Sequence, residues 1–465
     1  MPAFDIAQEH PEYSASRTMW RRYRDLYAGG EAFRANAAEY LVKRQKEPSD
    51  VFAERLARVF YENYVGSIVD WYASTLFRRE PIVILEGDDK SARRFFNAFA
   101  DNCDLQGTSL ADFFRKQMIE ALVTGKGYLL LDFPRVTRQA ATRAEEEALG
   151  ISRAYLSSFG VEQVTNWSRN PQGELDWVVL RTEQQIHPGI EGGPRKVRRT
   201  WVHYDRERFR TYMDESELGK TGTPALVDEG LHGLSRLGKV PVFELQVSEG
   251  LWLLNKAADL QLEHFNKSNA LSWALTMGLF AMPVVYSDRE WDQVISDSYY
   301  LQLGPGDRFG WTEPEGHVFE IALSNIDRLR EEIYRVSYLL SQSGGSLSKA
   351  SSLSGLSKQR DYAVTQEVLR SYGDSVKDLM KRVLRTMAEA RQDVLRIDVS
   401  GLDEFDIGDF SDELDQASRL LALCTESTTL KRQVLKKLAF KYLCDVRQEI
   451  KDRIAQEIDN DYSTE

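Results

Sequence analysis

Asn325-Ile-Asp-Arg-Leu-Arg-Glu-Glu-Ile-Tyr-Arg-Val-Ser-Tyr-Leu-Leu340, followed at once by Ser341-Gln-Ser-Gly-Gly-Ser-Leu-Ser-Lys-Ala-Ser-Ser-Leu-Ser-Gly355, decides the architecture of this chain. In the first half Ile326, Leu329, Ile333, Val336 and Leu340 recur in steps of three and four, the seam of a helix that packs along a near-parallel neighbour. The second half is Gly and Ser with a single cation, and no core can be built from it. Beyond Leu356 a further helix of about 35 residues is expected, carrying Leu369, Tyr372, Val376, Leu379, Val383 and Met387 inward, which is long for a globular helix.

Upstream of the seam, residues Gly250 to Met277 return to helical spacing, with Leu254, Ala258, Leu262 and Phe265 on one face and Pro283 as a stop. Between these two helices lies a compact segment, Val284 to Ile321. It has strand-like pieces around Gly304-Pro-Gly306 and Glu315-Gly316 and a short helix near Trp291, and reads as a small α/β insertion. Further upstream, Val51 to Phe77 reads as one helix, with Leu56, Phe60, Tyr64, Ile68, Trp71 and Thr75 on a stripe and Pro81 after it. A helix from Leu110 to Val123 has a candidate cap in Thr108 and Ser109, and Gly125-Lys-Gly127 turns the chain into a buried strand, Tyr128 to Phe133. From Tyr155 to Met213 apolar residues alternate with period two, as in the hairpins of an antiparallel sheet. Gly219 to Gly238 reads as a loop. After a run from Asp398 to Asp415 with eight carboxylates and no Lys or Arg, helices are expected at 413–424, 430–443 and 445–458 as an all-helical C-terminal unit. The fold class is α+β and helix-rich.

With 465 residues there is length for about three domains. Hydrophobic residues at 42% and aromatics at 11% are those of an ordinary globular chain. A formal charge of -12 excludes a protein that coats nucleic acid with cations, so any DNA contact must be local or weak. Cys103, Cys424 and Cys444 are too few and too widely spaced for a disulfide framework or a CxxC metal site, and are read as reduced thiols. The N-terminus lacks a basic and apolar secretory signal, and the longest apolar stretch, Leu271 to Tyr286, is too short and too interrupted to span a bilayer. No membrane partner is expected.

Catalytic motifs occur only as near misses. Gly233 to Lys239 has the spacing of a phosphate-binding loop, but Val240 replaces the Mg-binding hydroxyl and Pro241 sits where a helix must propagate. Ser346-Leu-Ser-Lys349 matches the SxxK of acyl-serine enzymes and Lys220-Thr-Gly222 matches KTG, yet their order is reversed and no SDN accompanies them. The six histidines show no metal spacing. No cofactor is implied and no enzyme is expected. A serine acyl enzyme using Ser346 and Lys349 is the catalytic alternative.

Six stretches stand in a telling order, beginning with Ser74-Thr-Leu-Phe-Arg-Arg-Glu-Pro81, Gly107-Thr-Ser-Leu-Ala-Asp-Phe-Phe114 and Ala121-Leu-Val-Thr-Gly-Lys-Gly-Tyr-Leu-Leu-Leu-Asp-Phe-Pro134. Val161-Glu-Gln-Val-Thr-Asn-Trp167, Lys239-Val-Pro-Val242 and Ala257-Ala-Asp-Leu-Gln-Leu-Glu-His-Phe-Asn-Lys-Ser268 continue it, and in this order of elements, from about Leu56 to Arg391, the chain resembles the portal proteins of tailed bacteriophages. What the resemblance implies is a wing at 1–249, a first stem helix at 250–277, a clip at 278–322 and a second stem helix at 323–340. A tunnel loop would follow at 341–355, a long wing helix at 356–395 and a helical crown at 396–465.

It implies a homo-oligomeric ring, usually of twelve, at one vertex of the virion capsid and assembled in the host cytoplasm. Such a ring conducts double-stranded DNA non-specifically during packaging and ejection. Its expected partners are the terminase large subunit, a major capsid or scaffolding protein, and a head-completion adaptor or tail protein. Ser343, Gly344, Gly345, Ser346 and Lys349, with Lys358 beyond them, would face DNA. Lys349, repeated around a ring, would form a belt of positive charge facing phosphates. Trp291, Asp307, Arg308 and Trp311 of the clip would dock partners. Another ring or scaffold component of a virion or gene-transfer particle is the nearer alternative. Arg195-Lys-Val-Arg-Arg199 is read as a solvated hairpin edge, with a ring-outer surface touching capsid or DNA as its alternative.

Overall fold

The structure, a computed structural model, describes residues 5–134, 153–187, 195–220, 222–278, 282–287, 305–312, 316–339, 355–403, 405, 417–422, 427–443 and 446–461. The chain divides into two compact units, one made of residues 1–24, 67–255 and 362–465, the other of 25–66 and 256–361. Both mix helix and strand, as the α+β expectation requires.

In the first unit, α6 (Leu110–Thr124) begins on Ser109, whose side chain accepts from the Asp112 N–H, and ends on Gly125 at φ 87°. That glycine is obligatory twice over, because an added Cβ would also lie 3.1 Å from the Trp252 ring. Strand β2 (Lys126–Asp132) follows directly and is buried along most of its length. It is the centre of a sheet ordered β3-β2-β9, with β3 at Tyr155–Phe159 and β9 at Val242–Gln246. A separate five-stranded antiparallel meander comprises β4 (Val164–Arg169), β5 (Leu175–Ile186), β6 (Lys196–Tyr204), β7 (Arg208–Glu217) and β8 (Ala225–Leu231). Its inner face and strand β2 share one core with Tyr13 and Trp20 of α1 (Pro11–Ala28), around Trp167, Val178, Leu180 and Tyr204.

Strand β8 corrects the expected loop at 219–238. Both of its faces are exposed, so it carries no alternation to read, and its pairing with β7 is broken by a bulge at Thr211/Tyr212. The basic run of β6 is not a free cationic surface. Lys196 and Arg198 meet Glu215 across the strand pair at 3.5 and 3.1 Å, and Arg199 meets Asp214 at 3.2 Å. Cys103, the one cysteine among the described residues, is buried, and burial pushes its thiol up to about 12.

The C-terminal region is not all-helical. It opens with β12 (Arg396–Ser400), which pairs antiparallel with β1 (Ile82–Glu86), and continues through α10 (Thr428–Tyr442) and α11 (Gln448–Asp461). Helix α11 docks on α5 (Lys90–Asp101) through Arg93 and Asp452 at 2.6 Å, and Gln448 donates to the Val83 carbonyl. Most of the carboxylate run lies outside the described residues.

The second unit contains α2 (Gly30–Tyr40), α3 (Ser49–Ala57) and most of α7 (Leu253–Gly278). Phe33 stacks on Tyr61 with ring centres 4.0 Å apart and meets Phe265 edge-on at 5.0 Å. The single helix expected from Val51 to Phe77 is two, α3 and α4 (Tyr64–Leu76). Two amides one α7 face apart hold the break open. Asn269 accepts from Phe60 N–H and donates to its carbonyl, while Gln261 accepts from Val65 N–H and donates to the Glu62 carbonyl. These bonds replace the helical ones that Phe60, Glu62 and Val65 would otherwise make.

Candidate assembly interface: two helices and the hairpin between them

Strands β10 (Met282–Tyr286) and β11 (Arg308–Thr312) pair antiparallel, in the register Met282↔Thr312, Val284↔Gly310 and Tyr286↔Arg308. Helix α7 leads into this hairpin and α8 (Gly316–Val336) leads out of it. Helix α8 therefore starts at Gly316, inside the segment expected to belong to the insertion, rather than at Asn325. Its first turns carry Val318 and Ile321 exposed, so they lack the one-sided pattern by which a helix is read.

The far ends of α7 and α8 are tied together. Lys256 Nζ donates to Tyr338 Oη at 2.7 Å and lies 4.5 Å from the centre of the same ring. Tyr338 stands in the left-handed region at φ 60°, an uncommon place for a bulky side chain, and there it ends α8. Met282 comes 26 residues after Lys256, and Tyr338 comes 26 residues after Thr312. The two helices thus run in opposite senses between the same two fastened points over equal lengths of chain.

The expected seam on α8 is present. Ile326 and Ile333 are buried, and Leu329 and Val336 are half-buried; Leu340 lies outside the described residues. Both flanks of that seam are apolar and uncovered. At 100° per residue, measured from the line of buried Ile326 and Ile333, Val318 falls roughly 70° to one side, level with Val336, Ile321 roughly 130° to that same side, and Leu323 roughly 70° to the other. These three are 63%, 58% and 55% exposed.

At the base of this unit, His264 on α7 is buried beneath the Tyr64 ring, 5.0 Å between centres, with Glu62 3.5 Å from its Nε2. Burial holds its pKa below the ordinary value near 6.5, and half-exposed Glu62 only partly opposes this. Burial shifts His203 of the other unit the same way. Between the lowered native value and about 6.5 the unfolded chain binds more protons than the native one, so stability falls as pH drops through that window. The thermal midpoint is expected to decrease from pH 7.5 to 5.5, and His264→Gln to flatten that decrease. An unchanged slope in the variant would show that His264 is not the group responsible.

Of the sequence-derived site residues, Asp307, Arg308 and Trp311 are brought together at the start and along the length of β11, with Trp311 opposite Pro283. Lys358 lies in the first turn of α9 (Gly355–Arg391). Trp291, Ser343, Gly344, Gly345, Ser346 and Lys349 lie outside the described residues. The sequence did not single out Lys256, Tyr338, Val318, Ile321 or Leu323. The steps of three and four in α8, carried on toward its N-terminus, fall on Ala322 and Phe319 and pass between Val318, Ile321 and Leu323, and no spacing in the sequence joins Lys256 to Tyr338. Among the described residues no group of His, Cys, Asp or Glu is placed to hold a metal ion, and no helix is long and apolar enough to cross a membrane.

No protein-family model and no curated protein matches the chain. Among solved structures it is similar to a chain in the neck of an empty gene transfer agent particle computed with C6 symmetry, at 13% identity and TM-score 0.44, over 78% of this chain and 86% of that one. It is similar at 13% identity and TM-score 0.41 to a chain in the virion of a native gene transfer agent particle, over 84% and 94%. A chain in the neck of the native particle computed with C12 symmetry gives 13% and 0.40, over 80% and 89%.

Proposed function

We propose that this chain is a non-catalytic structural subunit of a phage-type portal, a homo-oligomeric ring at a capsid vertex through which double-stranded DNA passes. The observation that carries this reading is the pair of uncovered apolar flanks on α8. A helix with one apolar seam is satisfied by its own chain, whereas one with apolar groups on both sides of a buried seam has room for two neighbours. A subunit in a closed ring has two neighbours, reached through different surfaces. In this reading α7 and α8 are the stem, and β10 and β11 the core of the clip that meets the terminase and the head-completion or tail proteins. The segment 341–355 faces DNA. A low density of cations suits that role, since a duplex carrying about one charge per 1.7 Å must slide rather than be held.

The test is the particle itself. Electron microscopy and light scattering of the purified chain should give rings, about twelve-fold, at low and high salt. A monomer at every concentration and salt would count decisively against the portal. Deleting Gly344 to Ser354 should leave rings intact while lowering the DNA retained per particle at least tenfold. Rings that fail to form would make the segment an assembly element instead.

A further inference from the structure

We propose that the cleft between the free edge of β9 and the C-terminal half of α9 docks an extended, acidic segment of a partner protein. This inference does not depend on the ring. The cleft has a volume of about 680 Å³, and Arg169, Glu244, Gln246, Lys381, Arg382 and Arg385 are among the residues that line it.

Strand β9 is the outer strand of its sheet, and its register fixes where its main chain points. Leu131 N–H donates to the Pro241 carbonyl at 2.9 Å and Val247 N–H to the Gly125 carbonyl at 3.0 Å. The two-residue repeat of an antiparallel ladder then turns the N–H and C=O of Glu244 and Gln246 away from β2, toward the cleft. Arg382 reaches the Glu244 carbonyl at 3.3 Å from that side. An open strand edge of this kind is a template for another extended chain.

The side chains select the charge of that chain. Arg169 is oriented by the Glu244 carboxylate and the Gly173 carbonyl, Lys381 by Asp398 at 2.9 Å, and Arg385 by the Ile397 carbonyl and, at 3.7 Å, by the same Asp398. Arg382 has no carboxylate partner among the described residues. Its neighbour Arg385 is three residues on, about 4.5 Å along the axis. Alternate side chains of an added strand are about 6.7 Å apart, so two acidic residues on one face of it meet both guanidinium groups. A duplex fits less well, because a cleft of this volume admits a single extended chain.

The probe is a fluorescein-labelled peptide, acetyl-(Glu-Val)₃-amide, titrated into the full chain at low salt. It should bind, and R382Q/R385Q should weaken it at least about tenfold, as expected for losing charge-assisted hydrogen bonds. Gln246→Pro, which removes an edge-facing N–H and leaves the ladder to β2 intact, should weaken it as well. Equal binding to the wild type and to the arginine variant would overturn the proposal, as would equal binding of the matched (Lys-Val)₃ peptide. Tighter binding of a single-stranded 12-mer DNA, lost in the same variant, would reassign the cleft to nucleic acid. Melting curves confirm folding, and if Gln246→Pro does not fold, the arginine variant decides.

Discussion

Val318→Asp, Ile321→Asp and Leu323→Asp, introduced together, are expected to leave the chain folded and to reduce the proposed ring to monomers. Each side chain is more than half exposed in the single chain, so its loss removes little intramolecular packing, and surface changes of this kind usually stay within about 0.5 kcal/mol. Covered by a neighbour, each would contribute part of the roughly 1.5–3 kcal/mol that full burial of such a side chain supplies. At somewhat over half of that, the three together supply about 3–5 kcal/mol per contact, and a carboxylate in their place adds a desolvation cost. Every contact in a closed ring carries the same loss, so the effect on assembly is far larger than on folding. Light scattering reads the assembly and circular dichroism the fold. Rings persisting at wild-type concentrations would place the interface elsewhere, and a large fall in melting temperature would show that these residues belong to a core.

Gly373→Ala is expected to destabilise the first unit, although the same change in an exposed helix interior normally stabilises by up to about 1 kcal/mol. Gly373 lies in the middle of α9, and a Cβ built there would stand 2.1 Å from the Leu402 carbonyl oxygen, a main-chain atom. Neither side yields easily. Helix α9 is fixed by buried Leu369, Tyr372 and Val376, and the Tyr372 hydroxyl donates to the Leu251 carbonyl at 2.6 Å. Leu402 is itself held at φ 57°, just after the strand pair β1–β12. Overpacking of this kind costs about 1–3 kcal/mol, and Gly373→Val should cost more. The sign of the change for alanine is the diagnostic. A higher melting temperature would mean that the segment around Leu402 does not press on the helix.

Much of the fold was legible because it is local. Ser109, Gly125 and the apolar run of β2 mark a helix, a stop and a buried strand within thirty residues, and all three are where that pattern puts them. Helix α9 was legible through its period, and Leu369, Tyr372, Val376, Leu379, Val383 and Met387 are all buried. What could not be read depends on distant partners. The break before Tyr64 is held by Gln261 and Asn269, about two hundred positions away, while Phe60 itself keeps a helical pattern. Strand β12 is five residues whose strand partner, β1, lies about three hundred positions upstream. Strand β8 is exposed on both faces and offers no alternation. The candidate site divides the same way. Its Gly/Ser segment is visible as composition, whereas the cleft beside β9 joins cations from position 169 and positions 381–385, which no window along the chain brings together.

The equal spans between the two fastenings of α7 and α8 make the length of this shaft a gauge that cannot be reset on one side. One residue inserted into α7 alone would advance its hairpin end by 1.5 Å and turn it by 100°, against a partner still anchored at Lys256–Tyr338. Register would then be lost at Met282–Thr312 or at the tie. Seven residues added to both helices would instead move the hairpin out by about 10 Å with only about 20° of drift. Changes in the reach of this element are therefore permitted as matched pairs close to whole heptads, and single insertions or deletions within either helix should be selected against.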